Sequence, residues 1–588
     1  MSRFEELQKK LEELSPIPVN MPKLYLLGDT GAGKTTIVRK ILGTDDYKFP
    51  SVQQKRTTVA VTEYVLSRDL PYQATYIFKT EHQISEFINE ILEIAIEKAY
   101  VSYKKNELDV NDIVENIEET PDERFRLKYI LSSEQLMEVA KAIAQILPQL
   151  DTSIDKLKTE LQSSEEELSI VVDLALEQQK YELSEIKETI LTNIKCKVSE
   201  LCDGFMLFSD DDYYQHSSSR LEGFIDQAKK LLSSTKNSVS PIVEYARLQG
   251  NLLASWLPKD AELVLIDGEG IGHDAREASR LSARHLDYFH FADSIALVEE
   301  SKKPFTSGGK SAMEGIIRNG YLDKFNLIFS KLDEVEVGDE ENAGRDEQIR
   351  AVKKGFANVK NALQEDDAEL NLGNERLFYL SHMRDKETSG VNIQEIGKLI
   401  IGIKKAFDED KPQFVEPKYD YEMLSSYLTK SSGNFERKWT SLLDSERWQT
   451  IKAFNKRMYW GEDEFKNMKP ISDFHIEVTK ELEFFIAHPY GWSEVTTPPM
   501  QKKSIDRVKQ EFSKQLLAFA RLVILKQQND NWGEAIGLVN FSGSTKIRKI
   551  KIQHIIQGIL PDHRKPEAIK MKDAIKNLLN ESITVCKT

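Results

Sequence analysis

The feature that most restricts the fold is a glycine-rich loop near the start of the chain. Residues 23–27, KLYLL, form an apolar run that leads into GDTGAGKT at 28–35, and the next stretch, TIVRKILG, has the pattern of a helix. A strand, a glycine loop and a helix in this order form half of an α/β nucleotide-binding unit. The loop matches the spacing GxxxxGK[ST] of a phosphate-binding loop, the P-loop. Because strand and helix are both in place, a chance glycine turn is the weaker interpretation.

The P-loop pattern predicts its own ligands. Backbone N–H groups of such a loop wrap phosphate oxygens, and the helix N-terminus adds positive potential. Lys34 would bridge the terminal phosphates, and the Thr35 hydroxyl would bind Mg²⁺. We therefore expect a nucleotide and Mg²⁺. The predicted phosphate-binding residues are Gly28, Asp29, Thr30, Gly31, Ala32, Gly33, Lys34, Thr35 and Thr36.

Further along the chain, strand-like runs alternate with helical stretches. The runs are TTVAVTEYVL (57–66), ELVLIDG (262–268), SIALVEE (294–300), FNLIFSKLD (325–333) and RLFYLSH (376–382). Alternation of strands and helices predicts a mainly parallel sheet with helices on both faces. The predicted fold class is therefore α/β.

The chain has 588 residues, more than a single hydrophobic core usually supports. Helical spacing of apolar residues predicts a large helical insertion within the α/β part, and approximate heptads over 154–198 indicate a helical hairpin or stalk. The predicted units are an N-terminal helix (1–20), an α/β domain (21–82 and 256–410), a helical insertion (83–255) and a mainly helical C-terminal domain (411–588).

Composition excludes some classes of protein. Lys and Arg number 80 against 96 Asp and Glu, a net charge of −16, which disfavours general nucleic-acid binding. Three cysteines are too few for a disulfide framework, so a cytoplasmic location is expected. The first 18 residues read as an amphipathic helix rather than a signal peptide, and no run reaches the ~20 apolar residues of a membrane span. Peripheral membrane contact is left open but is not indicated.

Two short motifs follow the P-loop at strand ends. DGEG at 267–270 ends one run and SKLD at 330–333 ends another; each alone is a common turn pattern. In this order after a P-loop, they resemble the motifs of the P-loop GTPases, closest to the large dynamin-like and septin-like members. The resemblance covers residues 20–82 and 256–410. Ser330 stands where the family has Asn or Thr.

The resemblance implies a role for several residues. Asp267 would hold Mg²⁺ through water, and the N–H of Gly270 would meet the γ-phosphate. Lys331 would stack on the base, and Asp333 would accept the paired N–H donors of guanine, which adenine lacks. Ser381 would supply a backbone contact to the base. GTP and GDP are therefore the expected nucleotides.

Hydrolysis needs further groups. Switch I is the segment before the second strand, and its available hydroxyls are those of Thr57 and Thr58. Thr58 is the preferred ligand of Mg²⁺ and the γ-phosphate. The alternative is that both threonines only begin a strand. Ile271 stands where Ras-like enzymes have a water-orienting Gln, so His273 is the candidate for that role. Hydrogen bonding within switch II, the segment from DGEG onward, is an equal alternative for His273. The predicted catalytic residues are Lys34, Thr58 and His273.

The predicted function is Mg²⁺-dependent GTP binding and hydrolysis that switches the conformation of the helical domains. The insertion joins both switch segments, so loss of the γ-phosphate can reach it. Self-association or a protein partner is expected through the helical domains. Two alternatives stay open: a dynamin-like scaffold that assembles at membranes, and an ATP-dependent sensor.

Two other stretches each allow two interpretations. FMLF at 205–208 is either a packed hairpin corner or a tip that contacts a membrane or partner. Lysine and arginine alternate with isoleucine over 546–551, which fits either a phosphate-binding strip or a half-buried segment with solvated lysines.

Overall fold

A single mainly parallel sheet lies at the centre of the computed structural model. Among the residues that the structure describes, nine strands form this sheet in the order β4-β3-β5-β2-β6-β1-β7-β8-β9. The strands are β1 (Lys23–Leu27), β2 (Val61–Leu66), β3 (Tyr72–Phe78), β4 (Tyr213–Ser218), β5 (Val243–Gly250), β6 (Leu263–Asp267), β7 (Ser294–Glu300), β8 (Phe325–Ser330) and β9 (Leu377–Tyr379). Two short strands, β10 (Pro417–Lys418) and β11 (Gly491–Trp492), pair separately.

The structure describes all residues except a set of short segments. These are 1, 52–59, 119–124, 162–170, 173, 177–179, 210, 269, 272–280, 306, 338–343, 366–369, 410–412, 539–543, 562–564 and 588. Thr57, Thr58 and His273 lie outside the described residues, so their assigned roles stay predictions.

The sheet has two halves that differ in strand direction. In the parallel half, β1 pairs in parallel with β6 and β7, and the pattern continues through β8 and β9. In the mixed half, β3 runs antiparallel to both β4 and β5, whereas β2 and β5 are parallel. The halves meet where β2 runs antiparallel to β6. This arrangement confirms the predicted α/β class.

Helices precede, interrupt and follow the sheet. The N-terminal helix is α1 (Arg3–Leu14). Helices between β1 and β6 are α2 (Lys34–Leu42), α3 (Glu81–Lys104), α4 (Val110–Glu118), α5 (Leu127–Ile130), α6 (Ser133–Leu161), α7 (Lys180–Leu201) and α8 (Leu221–Leu232). Those around the later strands are α9 (Ala283–Phe291), α10 (Ser307–Arg318), α11 (Arg345–Glu365) and α12 (Gly390–Asp408). The C-terminal helices are α13 (Leu424–Ser445), α14 (Trp448–Tyr459), α15 (Pro470–Ala487), α16 (Pro498–Arg521), α17 (Asn529–Ile536), α18 (Ser544–Ile559) and α19 (Glu567–Lys587).

Alternation along the strands creates a core on each face of the sheet. Leu24 and Leu26 of β1 belong to a core with α2, α12 and the helices α3 to α8. Tyr25 and Leu27 point to the other face and belong to a core with α1, α9, α10, α11 and the C-terminal helices. Successive side chains of a strand face opposite sides, which produces this division. The helical insertion and the C-terminal helices therefore pack on opposite faces.

The segment 83–255, for which only helices were predicted, also contains two strands of the central sheet. These strands are β4 and β5, and β5 is buried along its whole length. Its sequence, VEYARLQG, has polar residues at 244, 247 and 249, which is neither strict alternation nor a continuous apolar run. The charges are buried because α1 covers this part of the sheet: Arg247 is 0% exposed and bonds to Glu12 and to the carbonyl of Ser15. The division of the chain into domains remains a prediction.

The two ambiguous stretches both pack against the rest of the chain. In FMLF, Phe205 stacks on Phe78 with ring centroids 5.4 Å apart and Leu207 is buried, whereas Met206 is 72% exposed. In the basic strip, Arg548 is buried and donates to the carbonyls of Ala535 and Leu538. Both arrangements fit the structural interpretations.

Candidate functional site

The P-loop lies at the carboxyl end of β1 and leads directly into α2. Gly28 has a φ of +147°, and a Cβ at this position would approach the carbonyl oxygen of Val298 in β7 to 2.3 Å. Gly33 caps α2 with a φ of +100°. L-residues rarely adopt these conformations, so glycine is required at both places. The backbone at Gly28 and Gly33 thus takes conformations that favour glycine.

The two side chains that follow Gly33 are held inside the loop. Lys34 and Thr35 are 7% and 8% exposed. The Lys34 ammonium donates to the carbonyl oxygens of Gly28 and Asp29, at 2.7 Å and 3.0 Å. A lysine held across the loop in this way can turn toward phosphate oxygens, which accept from it more strongly because they are charged.

The Thr35 hydroxyl lies 3.2 Å from Oδ2 of Asp267, the last residue of β6. Asp267 is 2% exposed, so this carboxylate is held at the strand end. Magnesium prefers oxygen ligands at about 2.1 Å in an octahedron, in which adjacent ligands stand roughly 3 Å apart. The two oxygens therefore fit Mg²⁺ in chemistry, and their spacing is that of two adjacent direct ligands.

The DGEG motif lies against the P-loop. The N–H of Ile271 donates to the carbonyl of Gly28 at 3.3 Å. A Cβ on Gly270 would approach Oγ1 of Thr30 to 2.7 Å. The glycine of DxxG and the middle of the P-loop are thus in contact, which brings together residues 240 positions apart in the sequence.

Ser330, at the end of β8, joins the SKLD motif to the P-loop. Its hydroxyl donates to the carbonyl of Ala32 at 2.5 Å and lies 3.2 Å from the carbonyl of Glu299. It is 2% exposed. Although Ser replaces the Asn or Thr of the family pattern, its side chain still reaches the loop.

The other two polar residues of SKLD have protein partners. Lys331 adopts a left-handed conformation, with a φ of +52°, and its ammonium forms an ion pair with Glu300. Oδ1 of Asp333 accepts the N–H of His382 at 2.6 Å. The His382 ring nitrogen Nδ1 lies 3.5 Å from the other carboxylate oxygen. Asp333 is thus directed toward the loop that follows β9.

Ser381 lies in that loop, next to His382. Its hydroxyl accepts from Arg345 at 3.2 Å, while its N–H and carbonyl bond to the side-chain amide of Asn392. Helices α11 and α12 therefore hold the loop from two sides. The structure brings Asp333 and Ser381 to the same edge of the sheet as the P-loop.

Sequence reasoning missed two carboxylates at the end of β7, Glu299 and Glu300. Glu300 pairs with Lys331, and Glu299 is 3% exposed beside the P-loop. The signal that could have found them is a pair of acidic residues directly after the apolar run SIALV, because polar residues at the carboxyl ends of parallel strands line ligand sites.

Burial raises the pKa of Glu299 to about 8. The negative charges of Asp29 and Glu300 raise this pKa further, whereas the N–H of Phe305 and the Lys34 ammonium lower it. Burial disfavours the charged form because a low-dielectric surrounding replaces water. At neutral pH this carboxyl is therefore mostly protonated.

The parallel sheet and the loop after its first strand define an α/β protein with a P-loop. No protein-family model matches the chain, and no curated protein matches it. Among solved structures, it is similar to two chains of an oligomerised bacterial dynamin pair, described as a mechanism for the long-range sensing and tethering of membranes. The TM-scores are 0.31 and 0.29 at 13% and 12% identity, and each match covers 99% of this chain and 75% of the other. The site described above rests on this chain's own residues.

Proposed function

We propose that this protein binds and hydrolyses GTP with Mg²⁺ and uses the nucleotide to switch its helical regions. The observation that carries the proposal is the contact of three motifs at one edge of the sheet. The Thr35 hydroxyl and the Asp267 carboxylate lie 3.2 Å apart, and Gly270 of DGEG packs on Thr30. The hydroxyl of Ser330 in SKLD donates to the carbonyl of Ala32 in the P-loop. A P-loop hydroxyl and a strand-end carboxylate are the groups that hold Mg²⁺ beside the phosphates in P-loop nucleotide hydrolases.

Guanine is the proposed base because of the residues around Asp333. Its carboxylate accepts a backbone N–H from His382 and lies beside the loop that contains Ser381. A carboxylate in this place accepts the two N–H donors of guanine, and adenine has no matching pair. Lys331, held by Glu300, would cover the face of the base.

Competition between nucleotides tests the base. We expect GTP and GDP to displace a bound fluorescent guanine nucleotide, and ATP to fail at the same concentration. Asp333→Asn should weaken the binding of GTP and strengthen the binding of xanthosine triphosphate, since the amide can donate to the oxygen that xanthine has in place of the amino group of guanine. Asp346→Asn, an exposed change in α11, is the matched control. Equal affinity for ATP and GTP would support the ATP-dependent sensor instead.

For hydrolysis, Thr58 is the proposed ligand of Mg²⁺. His273 is the proposed group that positions the attacking water. His273→Ala should lower single-turnover hydrolysis by roughly 100-fold while leaving GDP affinity unchanged. If turnover is unaffected in both dilute and concentrated protein, His273 has a structural role only.

Coupling to the C-terminal helices is proposed through α9, the helix that follows switch II. Arg521 at the end of α16 bonds to both oxygens of Asp287 in α9, at 3.0 Å and 2.6 Å, and also to Asp463. A bidentate pair of this kind transmits a displacement because it has a specific geometry. Movement of α9 on loss of the γ-phosphate would therefore pull on α16.

The helical insertion is linked to the same C-terminal region. Three residues of α14 form ion pairs with α3: Arg457 with Glu90, Lys452 with Glu93 and Lys456 with Glu86. Hydrogen exchange should therefore differ between the GDP form and a form with a non-hydrolysable GTP analogue, within 84–255 as well as within 267–290. Differences confined to the pocket would make the insertion a docking module that does not respond to the nucleotide.

A scaffold that assembles at membranes is the second candidate. It is favoured by exposed apolar side chains around the connection between α15 and α16: Phe484 is 63% exposed, Tyr490 is 73% exposed and Val495 is fully exposed. Clustered exposed apolar residues are typical of interaction surfaces. No helix among the described residues is both long and apolar enough to cross a membrane. Liposome sedimentation and light scattering, with Tyr490→Ala and Val495→Asp as variants, would separate this candidate from a switch that stays dispersed.

A further inference from the structure

Glu299 is a buried carboxyl group that the proposed GTPase chemistry does not use. Its Oε2 accepts the N–H of Phe305 at 2.7 Å. Its Oε1 has no hydrogen-bond partner within the described part of the chain. The first turn of α10 presses against it, since a Cβ on Gly309 would come within 2.1 Å of Oε1. A carboxylate in such a place would leave a charged oxygen buried and unsatisfied, which is costly.

The charges around Glu299 come from three directions. The P-loop contributes Asp29, which repels a carboxylate, and Lys34, which attracts it. Its own strand contributes Glu300, whose charge is offset by Lys331. In α10, Lys310 lies 3.8 Å from Glu314 and is held on that helix. Among the described residues, the Lys34 ammonium is the cation whose charge lowers the pKa of Glu299 and so favours its ionised form.

Nucleotide binding changes this balance in one direction. A diphosphate or triphosphate brings about three or four negative charges into the P-loop, and a Mg²⁺ ion bound with it offsets only two of them. The Lys34 ammonium, which now donates to the carbonyls of Gly28 and Asp29, is drawn to the phosphates. Added negative charge and the loss of a nearby cation both favour the neutral form of a carboxyl.

We propose that Glu299 acts as a neutral carboxylic acid in the nucleotide complex, so that, at alkaline pH where the free protein has lost this proton, binding of a guanosine diphosphate or triphosphate takes up a proton at this residue. The inference rests on the proposed nucleotide site. Proton uptake at Glu299 makes nucleotide affinity depend on pH, because an ionised Glu299 must gain a proton before the nucleotide complex is stable. Affinity is highest where Glu299 is already protonated and falls as pH rises through its pKa.

The size of the effect follows from linkage. With a pKa of about 8 in the free protein, Glu299 is mostly neutral at pH 7 and mostly ionised at pH 9. One proton taken up per nucleotide then raises the dissociation constant about tenfold between these two pH values. GDP is the suitable probe, since it is not hydrolysed during the measurement.

The experiment measures GDP affinity from pH 7 to pH 9 for the wild type and for Glu299→Gln. Glutamine is neutral at every pH and can keep the hydrogen bond from Phe305. We expect the ratio of the two dissociation constants, wild type over variant, to rise about tenfold across the range. Titrations of the nucleotide and of other groups cancel in this ratio. Glu462→Gln is the matched control: burial raises the pKa of Glu462 to about 7, but its carboxylate faces Arg457 at 3.4 Å. This control should keep the wild-type pH dependence.

Calorimetry of the wild type tests the same inference without a variant. At pH 9, titration with GDP in two buffers of different ionisation enthalpy should report uptake of nearly one proton per nucleotide. Zero uptake, or a ratio of dissociation constants that stays constant from pH 7 to pH 9, overturns the inference and leaves the proposed GTPase intact. If GDP does not bind at all between pH 7 and pH 9, both this inference and the proposed GTPase function are overturned.

Discussion

The two halves of the sheet bury polar groups in different ways. In the mixed half, the polar groups lie in the middle of strands: Glu63 of β2 and Arg247 of β5 are both 0% exposed and form an ion pair at 2.7 Å. In the parallel half, the middles of the strands are apolar and polar residues appear at the carboxyl ends, as with Asp267, Glu299 and Ser330. The first set is enclosed by protein on all sides, whereas the second set meets loops.

This difference separates groups that hold the fold from groups that are available for chemistry. Glu63 also accepts from Gln8 of α1 and from the Tyr245 hydroxyl. Tyr288 of α9 extends this network by donating to Tyr245 at 2.8 Å. A network with every polar atom satisfied is stable, but it loses much when one member is removed. Strand-end residues carry less of the fold, so their replacement should affect ligands first.

The largest effect is expected on breaking the buried pair in the mixed half. Arg247→Met leaves the Glu63 carboxylate buried without its cation, which should lower the free energy of unfolding by about 3–5 kcal/mol. Urea denaturation measures this loss. Adding Glu63→Gln to Arg247→Met should recover part of it, because the unpaired charge is removed. If the free energy of unfolding falls by less than about 1 kcal/mol, the buried network does not stabilise the mixed half in the way argued above.

The parallel half should show the reverse behaviour with Lys34→Ala. Loss of a charge-assisted phosphate contact costs roughly 2–5 kcal/mol of binding free energy, so affinity for GTP should fall by at least about 30-fold. The melting temperature should change little, because the two hydrogen bonds that Lys34 donates to Gly28 and Asp29 stay within one loop and do not join separate elements. Lys310→Ala, which alters the GKS sequence at 309–311, is the control and should bind GTP as the wild type does. A variant that unfolds, or that binds as well as the wild type, contradicts this assignment.

A pH effect should appear on the helical face of the parallel half, between α9, α15 and α16. Burial lowers the pKa of His475 to about 4, and it also holds the pKa of His290 well below its usual value. The unfolded chain, with a histidine pKa of about 6.5, therefore binds protons that the folded chain does not. The stability that His475 contributes is complete above pH 6.5 and falls as pH drops toward 4, by about 2 kcal/mol between pH 7 and 5.

The difference in unfolding free energy between the wild type and His475→Gln isolates this contribution. We expect this difference to be constant above pH 7 and to shift against the wild type below pH 6.5. Glutamine can still donate to Ser513, the hydrogen-bond partner of the His475 ring. A difference that does not vary with pH would mean that His475 becomes protonated without cost.

The smallest effect on stability is expected for an exposed ion pair whose length is similar to that of the buried pair Glu63–Arg247. Lys549 of α18 lies 2.6 Å from Asp444 of α13, but the two side chains are 31% and 67% exposed. Water screens such a pair, so Lys549→Ala should change the free energy of unfolding by less than about 1 kcal/mol. Urea denaturation of Lys549→Ala and Arg247→Met compares an exposed ion pair with a buried one of nearly the same length. A similar loss for both variants would show that burial is not the deciding factor.

Sequence patterns predicted the parallel half better than the mixed half. The runs KLYLL and SIALVEE become β1 and β7 without a shift, because fully buried parallel strands are continuous apolar runs. The strands β3, β4 and β5 were missed. The sequence of β4, YYQHSS, is mainly polar, and the polar residues of β5 at 244, 247 and 249 do not alternate strictly with apolar ones, so neither gives a clear strand pattern. In the site, the P-loop, DGEG and SKLD were visible as motifs, whereas Glu299 belongs to no motif.

The sequence by itself determined the elements whose conformation depends on near neighbours. The glycines of the P-loop, the strand before it and the helix after it all follow from local sterics and local apolar spacing. The tertiary structure decided which residues meet: β2 runs antiparallel to β6, α1 covers Arg247, and Gly309 closes over Glu299. These contacts join residues far apart in the chain, and burial, pairing and pKa depend on the groups that surround a side chain in space.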